Sequence, residues 1–150
     1  MLSHILKGNQ IRLQLRVKDW EEAVRLGGQL LLEAGYVEEQ YIEAMVSTIK
    51  ELGPYIVIAP GIAMPHARAE NGVKATGMSL ITLAEGVCFG HHIFDPVSIV
   101  VSICAIDHSS HLQALAQLSE FLSNQEAMEK LLATQELAAV TNIIDQYSKE

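Results

Sequence analysis

The sequence predicts an α/β fold, one mixed β-sheet packed between α-helices, in a single domain over residues 1–150. Three observations predict it. Segments that alternate apolar and polar residues, or run apolar and β-branched, are interleaved with segments whose apolar residues recur at helical spacing. Turn and capping residues stand at the junctions between them. Hydrophobic residues make up 49 % of the 150, enough for a chain of this length to bury a core, and no segment is repeated.

Each element has its own signal. Ile11-Arg12-Leu13-Gln14-Leu15 alternates as a half-buried strand does. Asp19, with Glu22 three residues on, resembles a capping box. Trp20, Ala23, Val24, Gly27, Leu30, Leu31 and Ala34 then share one helical face, and Gly35 is a natural stop. A second helix begins at about Glu38, with Tyr41, Ala44, Met45, Thr48 and Leu52 inward, and ends at Gly53-Pro54. Tyr55 to Ala59 is a short apolar strand closed by Pro60-Gly61. Asn71-Gly72 marks a turn ahead of a strand near Gly77 to Leu83. Val97 to Ile106, apolar on both faces, is a central strand covered from both sides. Asp107 to Ser110 caps a third helix whose inward face is Leu112, Leu115, Ala116, Ser119 and Leu122. Two more helices fit about Glu126 to Ala133 and Leu137 to Tyr147, the latter opened by Thr134 or Gln135.

Composition narrows the function. A net charge of −8 with few, dispersed basic residues argues against nucleic acid and suits a basic protein partner. No apolar run approaches the roughly 18 residues of a membrane span. The first residues show no charged start followed by an apolar stretch and cleavage site, so the expected location is cytoplasmic. Two cysteines, Cys88 and Cys104, are too few for a disulfide framework and read as reduced thiols.

The segment Ala59 to Arg68 stands out. It follows an apolar strand, two prolines and a glycine stiffen it, and His66 arrives at its end. Stiff loops at strand ends hold reactive groups in place. A neutral imidazole is a good nucleophile, attack on a phosphoryl donor gives a labile phosphoramidate, and Arg68 stands two residues on to neutralise charge. On spacing alone a structural role for His66 is the alternative. His111 lies where the buried strand gives way to the third helix, whose N-terminus favours phosphate; the alternative is that Asp107, Ser109 and Ser110 simply cap the helix. His91 and His92 raise a metal hypothesis, but no His-Glu-x-x-His or CxxC spacing accompanies them, so neither metal nor cofactor is expected. Cys104 lies in the apolar strand and reads as inert; Glu70 and Glu85 read as solvated.

Pro60-Gly61-Ile62-Ala63-Met64-Pro65-His66 resembles the active-site motif of the enzyme IIA (EIIA) components of the bacterial sugar phosphotransferase system, mannitol/fructose type. The resemblance covers nearly the whole chain, including the Ala-Gly-Tyr-Val-Glu stretch at Ala34 to Glu38 and the buried strand followed by His111. Ile58 to Arg68, Gly53 to Tyr55, and Asp95-Pro96-Val97 are similar to the ascorbate-specific branch. The resemblance implies a mannitol-type EIIA fold and a phosphotransferase component with a phosphohistidine intermediate. His66 would take the phosphoryl group from phospho-HPr, the small carrier protein, and pass it to a cysteine of a cognate EIIB, which feeds a membrane EIIC. His111 would match the second histidine, which stabilises the phosphoryl group. Mannitol- and fructose-type relatives carry an arginine at the end of the second helix; here Ile49-Lys50-Glu51 stands there, leaving Lys50 or Arg68 as the cationic helper. The Gly that often follows the histidine is Ala67. Alternatives are an EIIA-like regulatory module responding to phosphorylation, the same carrier for another pentose or polyol, or a metal-dependent hydrolase built on the histidines.

Overall fold

The computed structural model describes residues 2–147. Its strands, β1 (Ile11–Leu15), β2 (Val57–Ala59), β3 (Ile62–Ala63), β4 (Gly77–Val87) and β5 (Val97–Cys104), form one mixed sheet in the order β1-β4-β5-β3-β2. β4 pairs antiparallel with the central β5, β3 pairs parallel with β5, and β1 lies parallel along β4. Among the described residues six α-helices flank the sheet: α1 (Leu2–Ile5), α2 (Trp20–Glu33), α3 (Glu39–Leu52), α4 (His108–Leu122), α5 (Gln125–Ala133) and α6 (Leu137–Tyr147).

The alternation of side chains along a strand explains the two layers. On β5, Ile99, Val101 and Ile103 face the core shared with α1, α4, α5 and α6, while Val100 and Cys104 face the one shared with α2 and α3. Met78 and Leu80 against Ile81 and Leu83 divide β4 in the same way. A strand with apolar residues on both faces is the consequence, as the sequence predicts for Val97 onward; only Ser98 and Ser102 interrupt the apolar run.

The predicted caps form. Asp19 Oδ1 accepts from Glu22 N at 2.9 Å, and the Glu22 carboxylate accepts from Lys18 N at 2.8 Å. Gly35, at φ +83°, closes α2: Tyr36 N donates to Leu31 O and Gly35 N to Leu32 O, both at 3.0 Å, a Schellman ending. Asp107 Oδ1 accepts from Ser110 N at 2.7 Å at the start of α4.

Other expectations need correction. The stretch after Tyr55 is not one strand and a loop but a hairpin. β2 is three residues long, and the chain turns at Pro60-Gly61, with Gly61 at φ +76°, into the antiparallel β3. A turn with positive φ next to β5 lets two short segments share ladder bonds where one longer strand would stand as an open edge. Leu52 and Leu112, expected inside, are 65 % and 53 % exposed, and Ile106 lies beyond the end of β5. The inward face of α4 is Ala114, Leu118, Phe121 and Leu122, with Ala116 and Ser119 outward. The apolar residues of α4 admit two helical phases, and burying Phe121 selects this one.

Close approach of α2 to the sheet depends on Gly27. Its carbonyl accepts from Ser79 Oγ at 2.8 Å, and a Cβ there would lie 2.5 Å from Ser102 Oγ, a buried hydroxyl with no partner. Gly27→Ala is therefore expected to lower the unfolding free energy in urea by about 1–3 kcal/mol. Adding Ser102→Ala removes the obstructing oxygen and should restore most of that loss.

Candidate functional site

His66 is positioned by backbone bonds on every side. Leaving β3, Met64 N donates to Ile56 O at 2.8 Å, and Pro65 O accepts from Ile103 N at 3.0 Å. After His66, Ala67 N donates to the Tyr41 hydroxyl at 2.9 Å, and that hydroxyl donates to Ile103 O at 2.6 Å. The half-buried His66 ring has its Nδ1 2.9 Å from Met64 O. A carbonyl only accepts, so in the neutral ring the proton sits on Nδ1 and the Nε2 lone pair is left available.

The ring stands between two others. Tyr55 meets it edge-on at 5.9 Å between centroids, and His111 lies 5.8 Å away on the first turns of α4. These rings line an open depression of about 840 Å³ between the C-terminal end of α3, the His66 segment and the start of α4. Burial first, then the neighbouring His66 and His108, push the pKa of His111 below that of an ordinary histidine. A neutral His111 has one ring N–H to donate.

Arg68 is in the wall of the same depression, highly exposed and only loosely paired, Nη1 to Glu70 Oε1 at 3.9 Å. Lys50 is elsewhere. Its Nζ lies 3.2 Å from Glu21 Oε1 on α2, and it does not line the depression. Of the two cations named from sequence, the fold brings only Arg68 beside His66 and His111. Glu51, Glu70 and Asp107 give the depression an acidic wall, with the Asp107 carboxyl held below the usual range by the N–H of Ser110. That cap takes up one of the N–H groups at the start of α4, the helix end that the sequence marks as favouring phosphate.

The remaining candidates lie apart. His91 Nδ1 accepts from Phe94 N at 3.1 Å and Ile93 N at 3.3 Å, and its ring stacks on Phe94 at 4.6 Å. Asp95 accepts from Phe89, Gly90 and His91 N–H groups in the same turn, so His91 is a turn former beside the exposed His92. Among the described residues no group of three or more His, Cys, Asp or Glu is arranged to hold a metal ion, and no helix is long and apolar enough to cross a membrane. Cys104 is buried, its thiol pushed up to about 12 by desolvation, and Cys88 is exposed. Glu70 and Glu85 are exposed, Glu85 pairing with Arg16.

Sequence reasoning missed three contributors. His108 and Tyr55 line the depression without having been singled out, and Tyr41 was read only as core. A tyrosine at a buried helical position was the available signal, because its hydroxyl must find a partner inside the protein.

Comparison with known proteins gives concordant findings. The family model described as "Phosphoenolpyruvate-dependent sugar phosphotransferase system, EIIA 2" matches residues 4–147. The ascorbate-specific PTS system EIIA components of Salmonella typhimurium and Escherichia coli K12 are each 38 % identical over 143 residues, 95 % of this chain and 93 % of theirs. Among solved structures, the mannitol-specific cryptic phosphotransferase enzyme IIA CmtB of Escherichia coli superposes with a TM-score of 0.88 at 37 % identity, covering 97 % of this chain and 98 % of that one. The complex of enzyme IIA-Mtl and phosphorylated enzyme IIB-Mtl from Escherichia coli contains a chain matched with a TM-score of 0.83 at 29 % identity, covering 94 % and 99 %.

The site geometry makes a pH prediction. Folding lowers the pKa of His111, so below the ordinary histidine value near ~6.5 the unfolded chain binds a proton that the folded chain resists. The associated stability is present above that pH and is lost as pH falls. By NMR titration His111 should have a midpoint below that of a free histidine. His66→Gln, which removes the neighbouring charge and keeps the burial, should raise that midpoint part of the way back.

Proposed function

The chain belongs to the EIIA type 2 family of the phosphoenolpyruvate-dependent sugar phosphotransferase system, and on that premise we propose that His66 is the residue that carries the phosphoryl group. The carrying observation is the bond from His66 Nδ1 to Met64 O, which leaves Nε2 as the nucleophilic nitrogen within the depression. Phospho-HPr docks there, and the Nε2 lone pair attacks phosphorus in line. The P–N bond of the donor phosphohistidine breaks, and its electron pair returns to the HPr imidazole. A cysteine thiolate of the cognate EIIB then attacks the same phosphorus from outside, the P–Nε2 bond breaks, and the pair returns to His66. EIIB hands the group on to sugar entering through EIIC.

Physics supports this economy of parts. Phosphoryl transfer needs positioning and charge stabilisation more than covalent machinery. His111 donates its ring N–H to a phosphoryl oxygen, and Arg68, exposed and weakly held by Glu70, supplies the cation in place of the family arginine. Leu52 and Tyr55, exposed on the rim, offer apolar surface to partners that bind briefly, and the acidic wall suits a basic donor surface. The whole chain acts as one EIIA domain in the cytoplasm. The sugar is L-ascorbate, on the names of the curated relatives and the wording from Ile58 to Arg68.

With enzyme I, HPr and labelled phosphoenolpyruvate, the chain is expected to take up one acid-labile phosphoryl group. His66→Ala should abolish the label; label that survives that change removes the proposal. His111→Ala should slow labelling by about 10²-fold, the scale of losing one donor to a developing charge. Labelled protein should pass its phosphoryl group to an ascorbate-type EIIB faster than to a mannitol-type EIIB. The reverse order would reassign the sugar and leave the carrier role standing.

A further inference from the structure

Two separate constraints are needed to aim His66. The bond from Nδ1 to Met64 O sets the rotation of the ring against its own loop. It does not set the loop against His111, which belongs to α4. That second constraint comes through Ile103. Pro65, before His66, is bonded to Ile103 N, and Ala67, after it, is bonded to Ile103 O through the single oxygen of Tyr41. Tyr41 is fully buried, reaches the segment from α3, and takes no part in the wall of the depression.

We infer that Tyr41 is a positioning residue for the phosphoryl transfer: its hydroxyl clamps Ala67 to the central strand and so holds Nε2 of His66 at a set distance from His111 and the incoming phosphorus. The inference rests on the carrier role proposed for His66. Tyr41 touches no reacting atom and moves no proton in the reaction. Its effect is geometric, and displacing a reacting group by about 1 Å costs on the order of a hundredfold in rate. The Ala67 amide needs the oxygen specifically, because no ladder partner replaces it on that side. A hydroxyl that merely satisfied the core would, when removed, weaken the fold and leave turnover intact.

The test compares Tyr41→Phe with Val140→Ala, which loosens the packing of α6 on α1, α5 and β1 at the sheet edge farthest from β2 and β3. Both are assayed well below their unfolding midpoints. Tyr41→Phe is expected to lower the maximal labelling rate at saturating phospho-HPr by about tenfold or more, with KM within about twofold of the unaltered chain. The nitrogen-15 signals of His66 that report the Nδ1–H tautomer should broaden or shift. Val140→Ala should change neither. An unchanged maximal rate in folded Tyr41→Phe, or an equal fall in Val140→Ala, overturns the inference. If Tyr41→Phe does not fold, hydrogen exchange of the Ala67 amide in the unaltered chain decides. Protection like that of the β5 amides supports the clamp, and exchange at loop rates sinks it. If the unaltered chain takes no label, the carrier role fails on its own, and the tautomer signals and Ala67 exchange still judge the clamp.

Discussion

Ile103 donates its backbone N–H to Pro65 and accepts, at its carbonyl, the Tyr41 hydroxyl that in turn holds Ala67. The rest of the site depends on this pair of bonds to the end of the central strand. Ile103 is itself among the most deeply buried residues, paired with Met78 across the β4–β5 ladder and packed against α1 and α4 to α6. Whatever holds β5 in the middle of the sheet therefore also holds the imidazole of His66. A buried strand is the stiffest part of a domain of this kind, since its backbone groups are paired in the ladder and both faces are packed.

The topology puts a short hairpin beside that strand. β3 runs parallel to β5 for only two residues, and Gly61 O then accepts from both Ser98 N and Ile99 N, tying the turn to the start of β5. The turn is braced from the other side by the loop that carries His91, because Gly61 N donates to Phe94 O. His91 thus has a part in the site, but at second hand, by shaping the loop against which the hairpin leans. α4 begins where β5 ends, so the same strand that anchors His66 also delivers His111. Two histidines 45 positions apart in sequence meet because one strand serves both.

Electrostatics refines this arrangement. Burial pushes the pKa of His111 down and so favours the neutral ring, while Arg68 stays solvated and only loosely paired with Glu70. Lys50 contrasts with it: three positions before Gly53 it belongs to the outward charge network of α2 and α3 with Glu21, Arg25 and Glu43. Such exposed pairs add little stability, about 0–1 kcal/mol each, and serve mainly to settle the surface between the two helices.

Much of this was legible before any coordinates. Local chemistry announced itself: Asp19, Asp107 and Gly35 cap helices because their side chains or backbone freedom act on neighbours within a few residues, and the doubly apolar run of β5 needs no partner to be recognised. The motif ending in His66 pointed to the EIIA family that the comparisons show, because residue types and their order carry that information. What the sequence could not decide was anything that depends on the other side of a contact. The outward turn of Leu52 and Leu112, the folding of Pro60-Gly61 into a hairpin, the placing of Arg68 and not Lys50 in the wall of the depression, and the reach of Tyr41 to Ala67 all follow from packing between distant segments. A helical period or an apolar run is compatible with several such contacts, and only tertiary burial, which acts on whole faces at once, selects among them.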